Sequence, residues 1–153
     1  IGDPAPSLKL PDLNGRIVDL EKFSQKETVV LFWNPGCGFC QRMLPELKEW
    51  EHRVAPGGPQ LLLISTGTVE ANRAMGLRCH VLLDQSFASG RTFHVGGTPS
   101  AVLVDAEGKI ASEVVSGAPA VMSLANSYSS QTAANVGVID FKMASSQRPV
   151  TVQ

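Results

Sequence analysis

The amino-acid sequence predicts an α/β sandwich with a mixed central sheet. Short apolar runs, typical of strands buried on both faces, alternate along the chain with stretches of helical periodicity. The predicted order is βαβαβαββα, and the last two strands are close enough in sequence to pair as an antiparallel hairpin. The chain has 153 residues, of which 43% are hydrophobic and 18% are charged, so one compact domain can bury a core of its own.

The N-terminal part is predicted to hold an extended segment, a β-hairpin and a buried strand. Segment 2–6 contains two prolines and cannot be helical. Asn14-Gly15 is a typical hairpin turn, and alternating polar and apolar residues flank it. The run 28–33 is β-branched and aromatic with no polar alternation, as expected for a central strand.

A long helix is predicted over 37–54, with a kink where Pro45 interrupts its hydrogen bonding. Its core stripe consists of Phe39, Met43, Leu44, Leu47, Trp50 and Val54. The remaining predicted elements are strands over 60–65, 80–84, 100–104 and 109–115, and helices over 69–75, 86–93 (with Ser86 as N-cap) and 118–128. We therefore expect one domain over 1–128, followed by a C-terminal appendage of uncertain structure over 129–153.

Composition and charge argue against several classes of protein. The formal net charge is -1, from 13 basic and 14 acidic residues, and no Lys/Arg cluster is present, so nucleic acid is not expected as a partner. No apolar run approaches the roughly 20 residues of a membrane span. Because the chain starts at Ile1 without Met, we expect that an upstream segment was removed. Three cysteines fit one redox or metal pair plus a spare better than a multi-disulfide scaffold.

Cys37 and Cys40 are the residues that carry recognisable chemistry. They stand at the start of the predicted helix, directly after a buried strand, and lie on nearly the same face of its first turn. The helix N-terminus favours the thiolate of Cys37, which suits dithiol–disulfide exchange. The alternatives are a structural disulfide or half of a metal site. A four-ligand zinc site requires a second Cys/His pair at close spacing, which the sequence lacks, so neither a metal nor another cofactor is expected.

Several motifs together resemble those of a known family. They are Phe32-Trp33 at the end of a strand, Cys37-Gly38-Phe39-Cys40, Pro45, Gly97-Thr98-Pro99 before a strand, and the hairpin over 13–20. In combination they resemble the thioredoxin-fold thiol–disulfide oxidoreductases of the TlpA/ResA/DsbE-like branch, which is related to the AhpC/TSA redoxins. The resemblance covers about residues 2 to 127. It implies a thioredoxin-like three-layer α/β/α sandwich with an N-terminal β-hairpin.

The same resemblance implies a bacterial enzyme and a set of partners. The partners are protein thiols or disulfides together with an upstream redox donor or acceptor. The expected location is extracytoplasmic, either periplasmic or membrane-anchored and facing outward, with any membrane tether lying outside this chain. A monomer is expected.

The resemblance also assigns roles to individual residues. Cys37 is expected to be the exposed nucleophile, and Cys40 the more buried resolving thiol. The Thr98–Pro99 bond is expected to be cis, with the Thr98 backbone available to an extended substrate peptide. The other residues expected at the substrate-binding surface are Trp33, Gly36, Gly38 and Phe39. For Trp33 a core position is the alternative, and for the two glycines simple loop flexibility is.

Some residues depart from the family pattern or have a plainer explanation. Leu31 and Met43 occupy positions where relatives often keep a carboxylate, so the proton acceptor for Cys40 is an open question. Cys79 is predicted to be a small buried hydrophobe, the alternative being a third redox thiol that would have to be exposed. The histidines are predicted to be structural or on the surface; they are His52, His80 and His94.

Three other functions fit the sequence less well. A peroxiredoxin-like thiol peroxidase requires P-x-x-x-T-x-x-C, but counting back from Cys37 gives Asn34 in place of Thr and Val30 in place of Pro. A non-enzymatic copper-handling module of the Sco type requires C-x-x-x-C, and the spacing here is one residue short. The N-terminal hairpin and the chain length argue against a cytosolic glutaredoxin. We therefore predict a thiol–disulfide oxidoreductase.

Overall fold

A five-stranded mixed sheet runs through the part of the protein that this computed structural model describes, which comprises residues 1–23, 25–54 and 58–126. Two strands form a separate hairpin, β1 Lys9–Pro11 and β2 Ile17–Asp19. The sheet consists of β3 Thr28–Trp33, β4 Gln60–Ser65, β5 His80–Leu83, β6 Ser100–Val104 and β7 Val115–Ser116. The helices are a 3-10 turn over Leu20–Phe23, α1 Gly38–Arg53, α2 Val69–Arg73, α3 Ala88–Thr92 and α4, which is described over 118–126. The predicted appendage over 129–153 lies outside the described residues.

The strand order is β5-β4-β3-β6-β7, so β3 is the central strand. β3 pairs parallel with β4, which pairs parallel with β5, while β6 runs antiparallel to β3. The carboxyl ends of β3, β4 and β5 therefore lie at the same edge as the amino end of β6. We call this end of the strands the Cys37 edge, because residues 34–37 follow β3 there. The predicted mixed sheet is confirmed.

The two faces of β3 bury two separate apolar cores. Leu31 and Trp33 face the core beneath α1, and Phe32 faces the other core; all three are at most 1% exposed. Alternate residues of a strand point to opposite faces, so a strand covered on both sides is apolar along most of its length. The one polar residue of β3, Thr28, donates its hydroxyl to the Lys26 carbonyl. The first core also contains side chains of α1 and α4, and the second contains those of the 3-10 turn and of Phe93 just after α3. The result is the three-layer α/β/α sandwich that the family resemblance implies.

The predicted N-terminal hairpin is present. β1 and β2 pair antiparallel, and Gly15 in the turn between them adopts φ 84°, a conformation that suits glycine. The Asp12 carboxylate accepts hydrogen bonds from the backbone N–H groups of Asn14 and Arg16, at 2.8 and 3.0 Å. A bridge from Asp12 to Leu82 attaches the hairpin to β5, at the edge of the sheet.

The strand expected over 109–115 is largely replaced by irregular structure. Only a bridge between Val104 and Ile110 and the short β7 pair with β6. The hydroxyl of Ser112 accepts the backbone N–H of Leu103 at 2.9 Å. Because this side chain takes a donor that a backbone carbonyl would otherwise take, the ladder is interrupted at that point.

The helix expected over 86–93 begins two residues later than Ser86. Phe87 precedes it with φ 58°, and a Cβ built at Gly90 would lie 2.2 Å from the Phe87 ring. The carboxylate of Asp84 accepts the backbone N–H of Ser89 at 2.7 Å and so supplies the first turn with an acceptor. The long helix α1, by contrast, matches its predicted bounds to within one residue and continues through Pro45. Phe39, expected in its core stripe, is exposed instead. The kink stays a prediction.

Candidate active site

Cys37 is the N-cap residue of α1, with an extended backbone at φ -81° and ψ 128°. The turn before it is held by Asn34, whose side-chain Oδ1 accepts the backbone N–H of Gly36 at 2.8 Å. The Asn34 carbonyl in turn accepts the backbone N–H of Cys37 at 3.0 Å. Asn34 was not among the predicted site residues, although an Asn-Pro-Gly segment after a strand is a recognisable turn signal.

The thiol of Cys37 is partly exposed and has a lowered pKa. The backbone N–H of Cys40, which points toward the Cys37 sulfur from the first turn of α1, is the main cause of the lowering. Burial opposes this effect, and the Thr98 side chain and the Phe39 backbone N–H add to it. Hydrogen bonds that favour the charged form lower an acid's pKa, so a larger share of Cys37 is thiolate at neutral pH than of an ordinary cysteine.

Cys40 is fully buried, and its thiol has the opposite shift. Burial raises the pKa of Cys40 to about 11, and the backbone of Asn34 and the side chain of Thr98 offset only part of that rise. A negative charge on Cys37 raises the pKa further. The two cysteines, one turn apart, are therefore chemically different.

The side chains around Cys40 are apolar where many relatives have an acid. Leu31 and Met43 belong to the same buried core as Cys40, at 0% and 2% exposure. The groups that affect the Cys40 pKa are Asn34, Thr98 and Cys37, none of which is a carboxylate. Resolution by Cys40 consequently has no carboxylate base beside it in the described residues.

Segment 96–99 forms the opposite wall of the site. The Cys37 thiol donates to the backbone carbonyl of Thr98 at 3.6 Å, and the Thr98–Pro99 peptide bond is cis. Gly96 and Gly97 are exposed, and a Cβ built on either would meet nothing within 4 Å. The structure thus brings Thr98 and Pro99 to the cysteine pair, beside open backbone.

The two aromatic residues predicted for the substrate surface occupy different environments. Trp33 is 1% exposed, and its indole N–H donates to the Met75 sulfur at 3.0 Å. Its ring is inaccessible to a docking partner, which corrects the expectation that Trp33 binds substrate. Phe39 is 63% exposed, and the guanidinium of Arg42 stacks on it. Arg42 was not among the predicted site residues, although its spacing of three from Phe39 on a helix was a signal.

Cys79 lies at the opposite end of the strands from Cys37. It precedes β5, whose first residue is in register with Leu62, whereas Cys37 follows the carboxyl end of the parallel strand β3. The Cys79 side chain is half-buried against the core, and burial, with the nearby Glu51 carboxylate, raises the pKa of its thiol. This placement fits the prediction of a small core residue.

The described residues offer no other chemical centre of the kinds considered from sequence. In those ranges no three His, Cys, Asp or Glu side chains come together in a way that could hold a metal ion. Within them, too, no helix has both the length and the hydropathy that a membrane crossing needs. His52 contacts Arg78, and His80 packs edge-on against Phe23.

Comparison with known sequences gives the family. The sequence profile of the AhpC/TSA family matches residues 1–113. The chain belongs to the AhpC/TSA family. The methylamine utilization protein MauD of Paracoccus versutus is 35% identical over 114 residues, covering 72% of this chain and 56% of MauD. The thiol-disulfide oxidoreductase ResA of a Bacillus thuringiensis strain is 23% identical over 120 residues, covering 75% of this chain and 69% of ResA. This chain thus spans little more than half the length of MauD.

Solved structures share the thioredoxin fold. One is the thioredoxin domain of a thiol-disulfide oxidoreductase from Bacteroides vulgatus, with a TM-score of 0.66, 25% identity, and coverage of 83% of this chain and 96% of that one. Another is a secreted Mycobacterium tuberculosis disulfide oxidoreductase homologous to Escherichia coli DsbE. Its TM-score is 0.66 and its identity 25%, with coverage of 83% and 95%. The predicted fold and the predicted TlpA/ResA/DsbE-like relationship are confirmed.

Proposed function

We propose that this AhpC/TSA family member is a thiol–disulfide oxidoreductase that exchanges its Cys37/Cys40 dithiol with disulfides of partner proteins. The observation that supports this most directly is the difference between the two thiols. Cys37 is partly exposed with a lowered pKa, whereas Cys40 is buried with its pKa raised to about 11. Exchange by two cysteines needs such a pair, one to attack and one to resolve.

In the first step, the Cys37 thiolate attacks one sulfur of the partner's disulfide. A Cys37–partner disulfide forms, the partner's own S–S bond breaks, and the second partner sulfur leaves as a thiolate that takes a proton from water. The Thr98 side chain and the first-turn N–H groups stabilise the thiolate before attack. The exposed glycines at 96 and 97 leave room for the partner's backbone beside the sulfur.

In the second step, Cys40 loses its proton and attacks the Cys37 sulfur. The Cys37–Cys40 disulfide forms, and the first partner sulfur leaves as a thiolate, so two electrons have moved from the protein to its partner. In reverse, the same steps oxidise a partner dithiol. Burial raises the pKa of Cys40, so little of it is ionised at pH 7 and its proton must pass to water or to the departing thiolate.

Further parts of the proposal concern location and partners. The partners are protein thiols and disulfides, with a separate redox protein restoring the starting state. An extracytoplasmic location is supported by the structural neighbour from Mycobacterium tuberculosis, which is described as secreted. The residues proposed to contact substrate are Gly36, Gly38, Phe39 and Thr98, which are exposed or partly exposed near Cys37. Pro99 was expected among them, but it is buried, so we propose that it supports the Thr98 backbone instead of touching the partner.

A trapping experiment tests the proposed order of attack. The reduced protein is mixed with a disulfide-linked peptide dimer and examined by intact-mass spectrometry. Wild type should lose two hydrogens with no lasting adduct, Cys40→Ser should retain one peptide on Cys37, and Cys37→Ser should acquire none. Cys79→Ser is the matched control and should behave as wild type. An adduct on the Cys37→Ser protein would overturn the mechanism.

A further inference from the structure

The first turn of α1 carries an exposed aromatic ring with an arginine stacked on it, next to Cys37. Phe39 is 63% exposed, which is unusual for a large apolar side chain in this protein. The guanidinium carbon of Arg42 lies 4.9 Å from the centre of the Phe39 ring, within cation–π range. The two side chains meet because residues three apart share a helix face.

The Arg42 guanidinium also lies against the backbone of Gly38. A Cβ built at Gly38 would lie 3.5 Å from Arg42 Nη1, so the guanidinium lies over the backbone of the residue that follows Cys37. Stacked on the exposed Phe39 ring, the guanidinium carries its positive charge beside the first turn of α1, near Cys37.

Three segments near Cys37 carry no charged side chain, and the first acidic residue of α1 is Glu46, one turn beyond Arg42. Segments 34–36, 66–68 and 95–99 contain no Asp, Glu, Lys, Arg or His. Asp84, at the end of β5, is 7% exposed and accepts hydrogen bonds from Ser86 and Ser89. A partner that reaches the Cys37 sulfur consequently meets open backbone, one apolar ring and one positive charge.

We propose that the Phe39–Arg42 pair selects partner proteins that carry an acidic side chain beside the reacting cysteine. The inference rests on the proposed function and adds to it the chemical class of the partner. An Asp or Glu of the partner pairs with the Arg42 guanidinium, and the apolar part of the partner segment packs on the Phe39 ring. Complementary charge at an exposed rim guides encounter and fixes register, and its contribution to affinity is modest.

Two short peptides test the proposal. They are identical except for Asp or Asn two positions after their single cysteine, and each is used as its disulfide-linked dimer. The reduced protein is mixed with each dimer, and alkylation with intact-mass spectrometry gives the second-order rate constant for oxidation of Cys37 and Cys40. The readout is the ratio of the Asp constant to the Asn constant. A change in Cys37 reactivity scales both constants equally and cancels from this ratio.

The wild-type protein should give a ratio above one at low ionic strength. In Arg42→Gln the ratio should fall by about twofold to fivefold, the size expected of an exposed ion pair. Arg42→Glu should lower it further, and added salt should reduce the wild-type preference. The matched control is Arg53→Gln, which removes the same charge about 16 Å further along α1 and should keep the wild-type ratio.

The outcomes separate this inference from the proposed function. A wild-type ratio of one or below, or the same ratio in wild type and Arg42→Gln, would overturn the acidic-partner proposal and leave the exchange reaction supported. If neither dimer oxidises the cysteine pair, both the proposed function and the inference drawn from it are wrong.

Discussion

Cys37 and Cys79 lie at opposite ends of the strands of one sheet, and their surroundings shift the thiol pKa in opposite directions. Cys37 receives the backbone N–H of Cys40 and has a lowered pKa. The carboxylate of Glu51 faces Cys79 and accepts its backbone N–H at 2.9 Å. There, burial and the adjacent negative charge raise the thiol pKa. The difference shows that a cysteine's reactivity in this fold is set by whether donors or acceptors converge on it.

The largest expected difference between the two cysteines is in their rate of alkylation. At pH 7, iodoacetamide should modify Cys37 at least about 100-fold faster than Cys79, because the thiolate is the reacting species. Time-resolved peptide mapping of the reduced protein measures both rates in one sample. Comparable rates at the two sites would show that the comparison drawn between them is wrong.

Cys40 has a raised pKa like Cys79, yet the proposed function requires it to react. Its attack on a Cys37 mixed disulfide should accelerate about tenfold per pH unit above pH 7, because burial raises the pKa of Cys40 and the ionised fraction of a thiol grows tenfold per pH unit below its pKa. The mixed disulfide is formed between Cys37 and 2-mercaptoethanol, and rapid-quench measurement of the released 2-mercaptoethanol gives the rate. A flat profile would show that a nearby base already takes the proton.

Placing a carboxylate beside Cys40 sharpens the same point. Met43→Glu should raise the resolution rate at pH 7 at least about tenfold and flatten its pH profile, since a positioned base contributes that much or more. Met43→Gln has a similar shape without a titratable group and is the control. Identical pH profiles for the two variants would show that residue 43 is too far from the Cys40 proton to matter.

The surroundings of Cys79 can be tested by removing the negative charge of Glu51. Glu51 accepts the backbone N–H groups of Arg78 and Cys79 at 3.0 and 2.9 Å. Glu51→Gln should lower the free energy of unfolding by about 1.5–3 kcal/mol, the range for hydrogen bonds to a charged group. It should also speed Cys79 alkylation at pH 9, because the thiol pKa falls toward its ordinary value. Urea denaturation and peptide mapping measure the two effects.

The control for Glu51 is Glu49, an exposed carboxylate on the same helix. Glu49→Gln should change the free energy of unfolding by less than about 0.5 kcal/mol, as surface substitutions usually do. Equal stability of the two variants would mean that the Glu51 hydrogen bonds do not anchor the segment before β5.

The parts of the fold that are apolar on both faces could be predicted from the sequence. The strands β3 and β4 and the helix α1 match their predictions because burial leaves a pattern in consecutive residues. The start of α3 could not be predicted, since it depends on the Phe87 ring lying over Gly90. The break at 111–114 likewise depends on one long-range contact, between Ser112 and Leu103.

In the candidate site, too, some features could be predicted from the sequence and others could not. The cysteine pair and Thr98-Pro99 could be predicted from a resemblance that spans most of the chain. The burial of Trp33 follows from strand alternation, because it has the same parity as Leu31 and faces the same core. The stacking of Arg42 on Phe39 could not be derived, since helical spacing permits that contact without requiring it.

The smallest expected effect concerns Thr98, whose side chain lowers the pKa of Cys37 and touches nothing at Cys79. Thr98→Val keeps the shape of the side chain and removes the hydroxyl, so the Cys37 pKa should rise and its alkylation at pH 7 should slow about twofold to threefold. Cys79 in the same molecule is the internal control, and its rate should not change. If both rates fell together, the substitution would have altered the whole structure. If neither changed, the Cys37 thiolate would owe its stability to the backbone N–H groups and the Cys40 thiol, without Thr98.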